Sequence, residues 1–218
     1  MMPRRKSAID RDALRVKLLA VAEALVVQGG QQALTARALA AHIGYSLGHV
    51  YNLVSDLDEL VLMINARTLD RLIEALQDAL EDAKEGPTRI YKLAETYLSF
   101  CQSNARLWEL VLAHRLPEGR QVPGEYAVLI ATLPALVGDE LKQLYPKRSS
   151  EQIKRDVATL WSALHGLSTL DLTGRLTLIG APKAELLAKS LLDNYLAGIS
   201  ARTHDKEHKD SKDSKDPK

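Results

Sequence analysis

Residues 34–60, LTARALAAHIGYSLGHVYNLVSDLDEL, decide how this chain folds. Thr35 can N-cap a helix, and Leu34 before it and Leu39 after it are spaced to staple the first turn with an apolar contact. Leu39 and Ile43 lie four apart on one helical face, and Gly44 then offers the left-handed conformation that ends a helix cheaply. Ser46 stands at the start of a second short helix whose inward positions are Val50 with Leu53 or Val54. That assignment leaves Leu47, Gly48, His49, Asn52 and the Tyr51 hydroxyl facing away from the chain, while Tyr45 either packs against Val50 or joins the outer face. Two short helices across a glycine turn, with a third beginning near Ser55, form the arrangement that seats a recognition helix in the major groove of DNA.

Outward from this stretch the chain reads as helical throughout. Apolar residues recur at spacings of three and four from Leu14 to Ile199, and β-branched alternation never persists. A first helix starts near Asp10 or Asp12, buries Leu14, Leu18, Val21 and Leu25, and stops at Gly29-Gly30. The helix opened by Ser55 runs through Leu80 and ends before Gly86-Pro87. Further helices are expected over about 88–103, 105–116 and 124–145, the last kinked or split by Pro134. Ser149 and Ser150 before Glu151 and Gln152 make a capping signal for a helix to about Thr173, and Pro182 begins a final one to about Ser200. The layout is all-α, with a basic arm over 1–9, a helix-turn-helix domain over 10–56, a helical regulatory and dimerisation domain over 57–201, and a charged tail over 202–218 expected to be disordered.

The net charge is only +1, but it is unevenly placed: through residue 50 there are seven basic residues against three acidic ones. Arg4, Arg5 and Lys6 put part of that excess beside the helix-turn-helix, where phosphate would lie. One cysteine, Cys101, gives no intrachain disulfide framework and suits a reducing compartment. No apolar run reaches the ~20 residues of a membrane helix, and the first residues lack the apolar segment of a signal peptide, so a cytoplasmic protein without membrane contact is expected. Glu-x-x-His pairs, HExxH, a phosphate-cradling glycine loop and a cysteine cluster are all missing from the sequence, which argues against an enzyme, a catalytic residue or a structural metal.

Residues 12–64 resemble the DNA-binding domain of the TetR family of transcriptional regulators. The likeness rests on the Thr35 and Arg37 start, Leu39-Ala40, the Gly44-Tyr45-Ser46 turn, Tyr51 at the end of the recognition helix, and Leu60. Leu160-Trp161, His165-Gly166 and Gly174-Arg175 are similar to a Trp-x-x-x-His-Gly signature in the regulatory part of one subgroup. The resemblance implies a homodimer on double-stranded operator DNA, most often a repressor, released by a small-molecule effector. Two positions depart from it: Val54 and Leu57 stand where the family commonly has phenylalanine and lysine. With Asp56, Asp58 and Glu59 around Leu57, this corner is expected to repel phosphate, leaving Arg4, Arg5, Lys6, Arg37 and Tyr51 to anchor the backbone. The alternative is a helical effector-binding or protein-interaction module with weak or lost DNA binding.

On that reading Arg37 forks onto a guanine edge or a phosphate, His49 donates to a base or phosphate, Leu47 reads a thymine methyl, Gly48 allows close approach, and Asn52 is a further polar contact. Thr35, Tyr45 and Ser46 complete the contacting set. One recognition helix reads too few base pairs, each worth ~1–3 kcal/mol, so a dimer is expected. The last two helices supply its surface through Val157, Leu160, Trp161 and Leu164, and through Leu187, Leu191, Leu192, Tyr195 and Ile199, with Ala158, Ala163 and Gly166 allowing close approach. A twofold dimer places its recognition helices roughly 34–36 Å apart, over a palindromic operator. Tyr97, Cys101, Trp108, Leu112, Leu129, Leu133, Trp161 and His165 have the makeup of an effector pocket or of an ordinary core.

Overall fold

The computed structural model describes the backbone of residues 4–213 and the side chains of residues 11–202. Among them every regular element is helical. The chain forms two compact units, one of residues 1–78 with 100–136 and the other of residues 79–99 with 137–218.

The first unit opens on α1, Arg4–Gly29, which starts several residues earlier than the sequence suggests, so that the expected basic arm is helical backbone from Arg4 onward. The side chains of Arg4, Arg5 and Lys6 lie outside the described residues. Gly30, at φ 70°, turns the chain into a single 3-10 turn, Gln31–Ala33, which periodicity did not reveal. Next comes α2, Ala36–Ile43, with the Ala38 amide donating to Thr35 Oγ1 at 3.1 Å and Gly44 left-handed at φ 77°. Leu34 and Leu39 are both buried, as an apolar staple requires. Helix α3, Leu47–Leu53, follows from Ser46, which occupies the cap position but makes no side-chain cap hydrogen bond.

Helix α4, Leu57–Glu81, is capped by Asp56 rather than Ser55, since the Glu59 amide donates to Asp56 Oδ1 at 2.7 Å. After α5, Pro87–Ser103, the short α6, Ala105–Ala113, returns to the first unit. One apolar core joins Leu18, Leu25, Leu39, Ile43, Val50 and Leu53 with Leu60, Val61 and Ile64 of α4 and Leu107 and Leu110 of α6. The domain boundary expected after residue 56 therefore falls inside a continuous core, because three short helices present more apolar surface than they can cover alone. Helix α7, Gly124–Leu144, runs unsplit through Pro134, which costs it one backbone hydrogen bond from the missing N–H.

The second unit is built on α8, Ser150–Leu172, the four-residue α9, Arg175–Leu178, and α10, Ala184–Asp213. Ser149 and Gln152 form the full capping box anticipated for α8. Its core gathers Ile90, Ala94, Leu141, Ile153, Val157, Leu160, Leu192 and Leu196. Buried ion pairs brace it: Arg89 grips Glu140 through two hydrogen bonds of 2.7 and 2.9 Å, and Arg148 meets Asp156 at 2.5 Å, where Tyr195 also donates at 2.9 Å. The tail expected to lack structure from residue 202 continues as helix to Asp213. Its sequence pairs opposite charges four apart, as in Asp205 with Lys209 and Lys206 with Asp210, a spacing that supports a helix without a core. Residues 214–218 lie outside the described residues.

Candidate nucleic-acid interface

The sealed core of the first unit leaves one side of the helix-turn-helix open. Val50, Leu53 and Val54 are buried, whereas His42, Tyr45, Ser46, Leu47, Gly48, His49, Tyr51 and Asn52 are exposed, Leu47 at 49% and Tyr51 at 48%. Thr35 and Arg37 are exposed on α2 beside them. Tyr45 does not enter the core; its ring lies 5.0 Å from that of His49, tilted by 32°. A Cβ built on Gly48 would meet no atom within 4 Å, so nothing within the chain calls for glycine there. His42 keeps its ring nitrogen 2.8 Å from the Ala38 carbonyl.

The exposed helix is held by groups that sequence reasoning did not single out. Arg11 of α1 donates to the Asn52 carbonyl at 2.7 Å, a cation on the negative end of α3. Between α1 and α3 runs a groove of about 840 Å³ whose walls include Arg11, Lys17, Tyr45, His49 and Asn52. Lys17 is exposed and lies in the groove beside the reading face, so it joins the groups able to meet phosphate. Only the three-dimensional return of α3 onto α1 reveals it.

The acidic corner needs correction. Asp56, Asp58 and Glu59 were expected to repel phosphate, yet Asp56 and Glu59 are each paired with an arginine. Glu59 pairs with Arg15 and accepts from the Ser55 amide and hydroxyl, both at 2.7 Å. Arg120 donates to Asp56 Oδ2 at 2.7 Å, and His114 Nε2 stands 3.8 Å from Asp58. The Glu59 amide, with help from Arg120, holds the Asp56 carboxyl below the usual carboxylate range. Burial pushes Glu59 upward, but the Ser55 hydrogen bonds and the Arg15 charge outweigh it and leave its carboxyl lowered too. Leu57 is half-buried and packs against the core.

The expected effector residues separate between the two units. In the second, Tyr97, Trp161 and His165 come together: the Tyr97 hydroxyl is 3.0 Å from His165 Nδ1, the Tyr97 and Trp161 rings are 5.4 Å apart, and Trp161 and His165 stack at 6.1 Å. Burial lowers the His165 pKa, which favours the neutral ring. In the first unit, Cys101, Trp108 and Leu133 are buried, Leu129 is half-buried, and Leu112 is 39% exposed. Leu112 therefore faces out, one residue before the end of α6, where helical periodicity no longer points inward. Sequence reading missed Asn65, 1% exposed on α4, whose amide has the Tyr126 hydroxyl beside it and makes no well-aligned hydrogen bond among the described residues. Its apolar neighbours in sequence gave no sign of it. The apolar stripes expected to form a dimer surface divide, part of each covering the core of the second unit and part staying accessible. Val157, Leu160, Leu192 and Ile199 are buried, and Trp161, Leu164, Leu187, Leu191 and Tyr195 half-buried. Ala158 and Gly166 remain exposed on α8.

These features define a class: an all-helical protein with an N-terminal helix-turn-helix and a helical C-terminal domain. Residues 90–195 match the family model described as tetracyclin repressor-like, C-terminal domain. In fold the chain is similar to a protein of unknown function from Rhodococcus sp. RHA1, at 24% identity and TM-score 0.71 over 85% of this chain and 94% of that one. It is similar also to a TetR-family transcriptional regulator from Bordetella parapertussis 12822, at 19% identity and TM-score 0.59 over 84% and 93% of the two chains. The TetR family regulator PfmR from Thermus thermophilus is alike at 18% identity and TM-score 0.60, over 83% and 97%. No curated protein matches the sequence. The C-terminal half of the chain thus matches the tetracyclin repressor-like domain, and the chain shares the fold of TetR-family transcriptional regulators.

Proposed function

We propose that the protein is a ligand-responsive, sequence-specific repressor that binds a palindromic operator as a homodimer in the cytoplasm and has no enzymatic activity of its own. The observation that carries this reading is the division of labour in α3: Val50 and Leu53 hold the helix while Leu47, Gly48, His49 and Asn52 on the outer side have no part in the core. Arg37, Tyr51 and Lys17 supply a guanidinium, a hydroxyl and an ammonium for phosphate or base edges, and Arg4, Arg5 and Lys6 add charge at the start of α1. The rival reading, an interaction module without DNA affinity, drew its support from a repelling acidic corner, and the pairing of Glu59 with Arg15 and of Asp56 with Arg120 weakens that support.

Dimerisation through α8 and α10 is favoured by their small outward residues, Ala158, Ser162 and Gly166 on one and Ser190, Asn194 and Ala197 on the other, all exposed. The effector meets the Tyr97, Trp161 and His165 cluster, an apolar and aromatic surface with two polar tips, suited to a planar organic molecule able to hydrogen bond. Selection of bound sequences from random duplexes, followed by gel shift, tests the reading. The expected product is an inverted repeat bound with strong salt dependence; absence of any enriched or saturable duplex overturns it.

A further inference from the structure

We propose that the segment between α6 and α7 controls DNA affinity by masking the Asp56 carboxylate at the head of α4, so that Arg120 acts as a positioning residue for DNA binding through it. The inference rests on the regulator reading above and deepens it, since it says how a change in the regulatory helices reaches the DNA face.

Asp56 and Asp58 follow Tyr51 by five and seven residues, so they flank the point where α3 hands over to α4. A duplex seated on α3 brings phosphate past this corner, and the positive end of the α4 dipole attracts phosphate. A bare aspartate there cancels that attraction. In the structure neither oxygen of Asp56 is bare: Oδ1 accepts from the Glu59 amide and Oδ2 from Arg120, each at 2.7 Å. The two contacts do different work, one capping α4 and the other neutralising charge. Asp58 lies 3.8 Å from His114 Nε2, too far for a hydrogen bond, so the mask rests on Asp56.

Arg120 belongs to the short stretch 114–123, far from α4 in sequence and directly joined to α6 and α7. Those helices carry Trp108 and Leu133, which are buried, so a shift of α6 or α7 is transmitted to His114 and Arg120 through the chain itself. Withdrawal of the segment leaves α3 intact and uncovers negative charge beside it. DNA is then released by repulsion at the corner, without unfolding of the helix-turn-helix.

Arg120→Ala, Asp56→Asn and the double variant test this, with affinity measured across a salt series for the operator obtained by selection and for a random-sequence duplex. Asparagine caps a helix as well as aspartate, so Asp56→Asn removes the charge and keeps the fold. Arg120→Ala is expected to weaken both duplexes by about two- to fivefold at low salt, with the loss shrinking as salt rises. Adding Asp56→Asn should restore binding, and Arg120→Lys should bind like the unaltered chain. The mask is refuted if Arg120→Ala binds as tightly as the unaltered protein, or if its weakness persists at high salt and Asp56→Asn does not rescue it, the mark of a merely structural contact. If the unaltered chain binds neither duplex, the regulator reading itself fails and takes the mask with it, a result recognisable because every variant is then equally silent.

Discussion

Gly48 illustrates how single residues divide between folding and function. It sits at the second position of α3 with open space where a side chain would begin, and glycine in a helix is disfavoured by roughly 0.5–1 kcal/mol relative to alanine. Gly48→Ala should therefore leave thermal unfolding unchanged or slightly raised while weakening operator binding, measured by melting and by gel shift on the same preparation. A fall in both would place Gly48 in the fold instead. Asn65 argues the opposite way. A buried amide with at most one poorly aligned partner, the Tyr126 hydroxyl, recovers little of a desolvation cost of about 1–3 kcal/mol, so Asn65→Leu should raise the melting temperature of the free protein. An unchanged or lower value would mean that the amide is satisfied in solution.

At the scale of elements, what the sequence disclosed and what it hid follow from range. Thr35, Gly44 and Ser149 act on amides and carbonyls within four residues of themselves, and their caps could be read directly. The groups that steady α3 could not. Arg11 reaches Asn52 across 41 positions and Arg120 reaches Asp56 across 64, and nothing local in either sequence neighbourhood marks them. The acidic corner was misjudged for that reason: its charges were visible and their partners were not. Removing the Arg11 contact should cost stability in α3 alone. Arg11→Ala is expected to speed amide hydrogen exchange over 47–53 and to weaken DNA binding, while global unfolding shifts by about 1 kcal/mol or less. Unaltered exchange in α3 would show that the carbonyl is held equally well by water.

Across the whole molecule, periodicity revealed the faces of α8 and α10 but not what covers each. Val157, Leu160 and Leu192 recur at helical spacing and were read as a dimer surface, yet they fill the core of their own unit. Spacing identifies a stripe; it carries no information on whether the partner belongs to the same chain. The small exposed residues opposite that stripe are the better guide. Gly166 has no atom within 4 Å of where a Cβ would stand, so Gly166→Arg should fold normally as judged by circular dichroism. It should sediment as a monomer and lose cooperative binding to an inverted repeat. A variant that still sediments as a dimer would move the interface elsewhere.

The open flank of α3 has a bearing on how such a protein acquires new targets. Because Leu47, His49 and Asn52 take no part in the core, a duplicated copy could exchange them freely and drift toward another promoter with little loss of solubility or yield. Randomised libraries at those three sites should be rich in folded members, most of them differing in the DNA they prefer rather than in whether they survive.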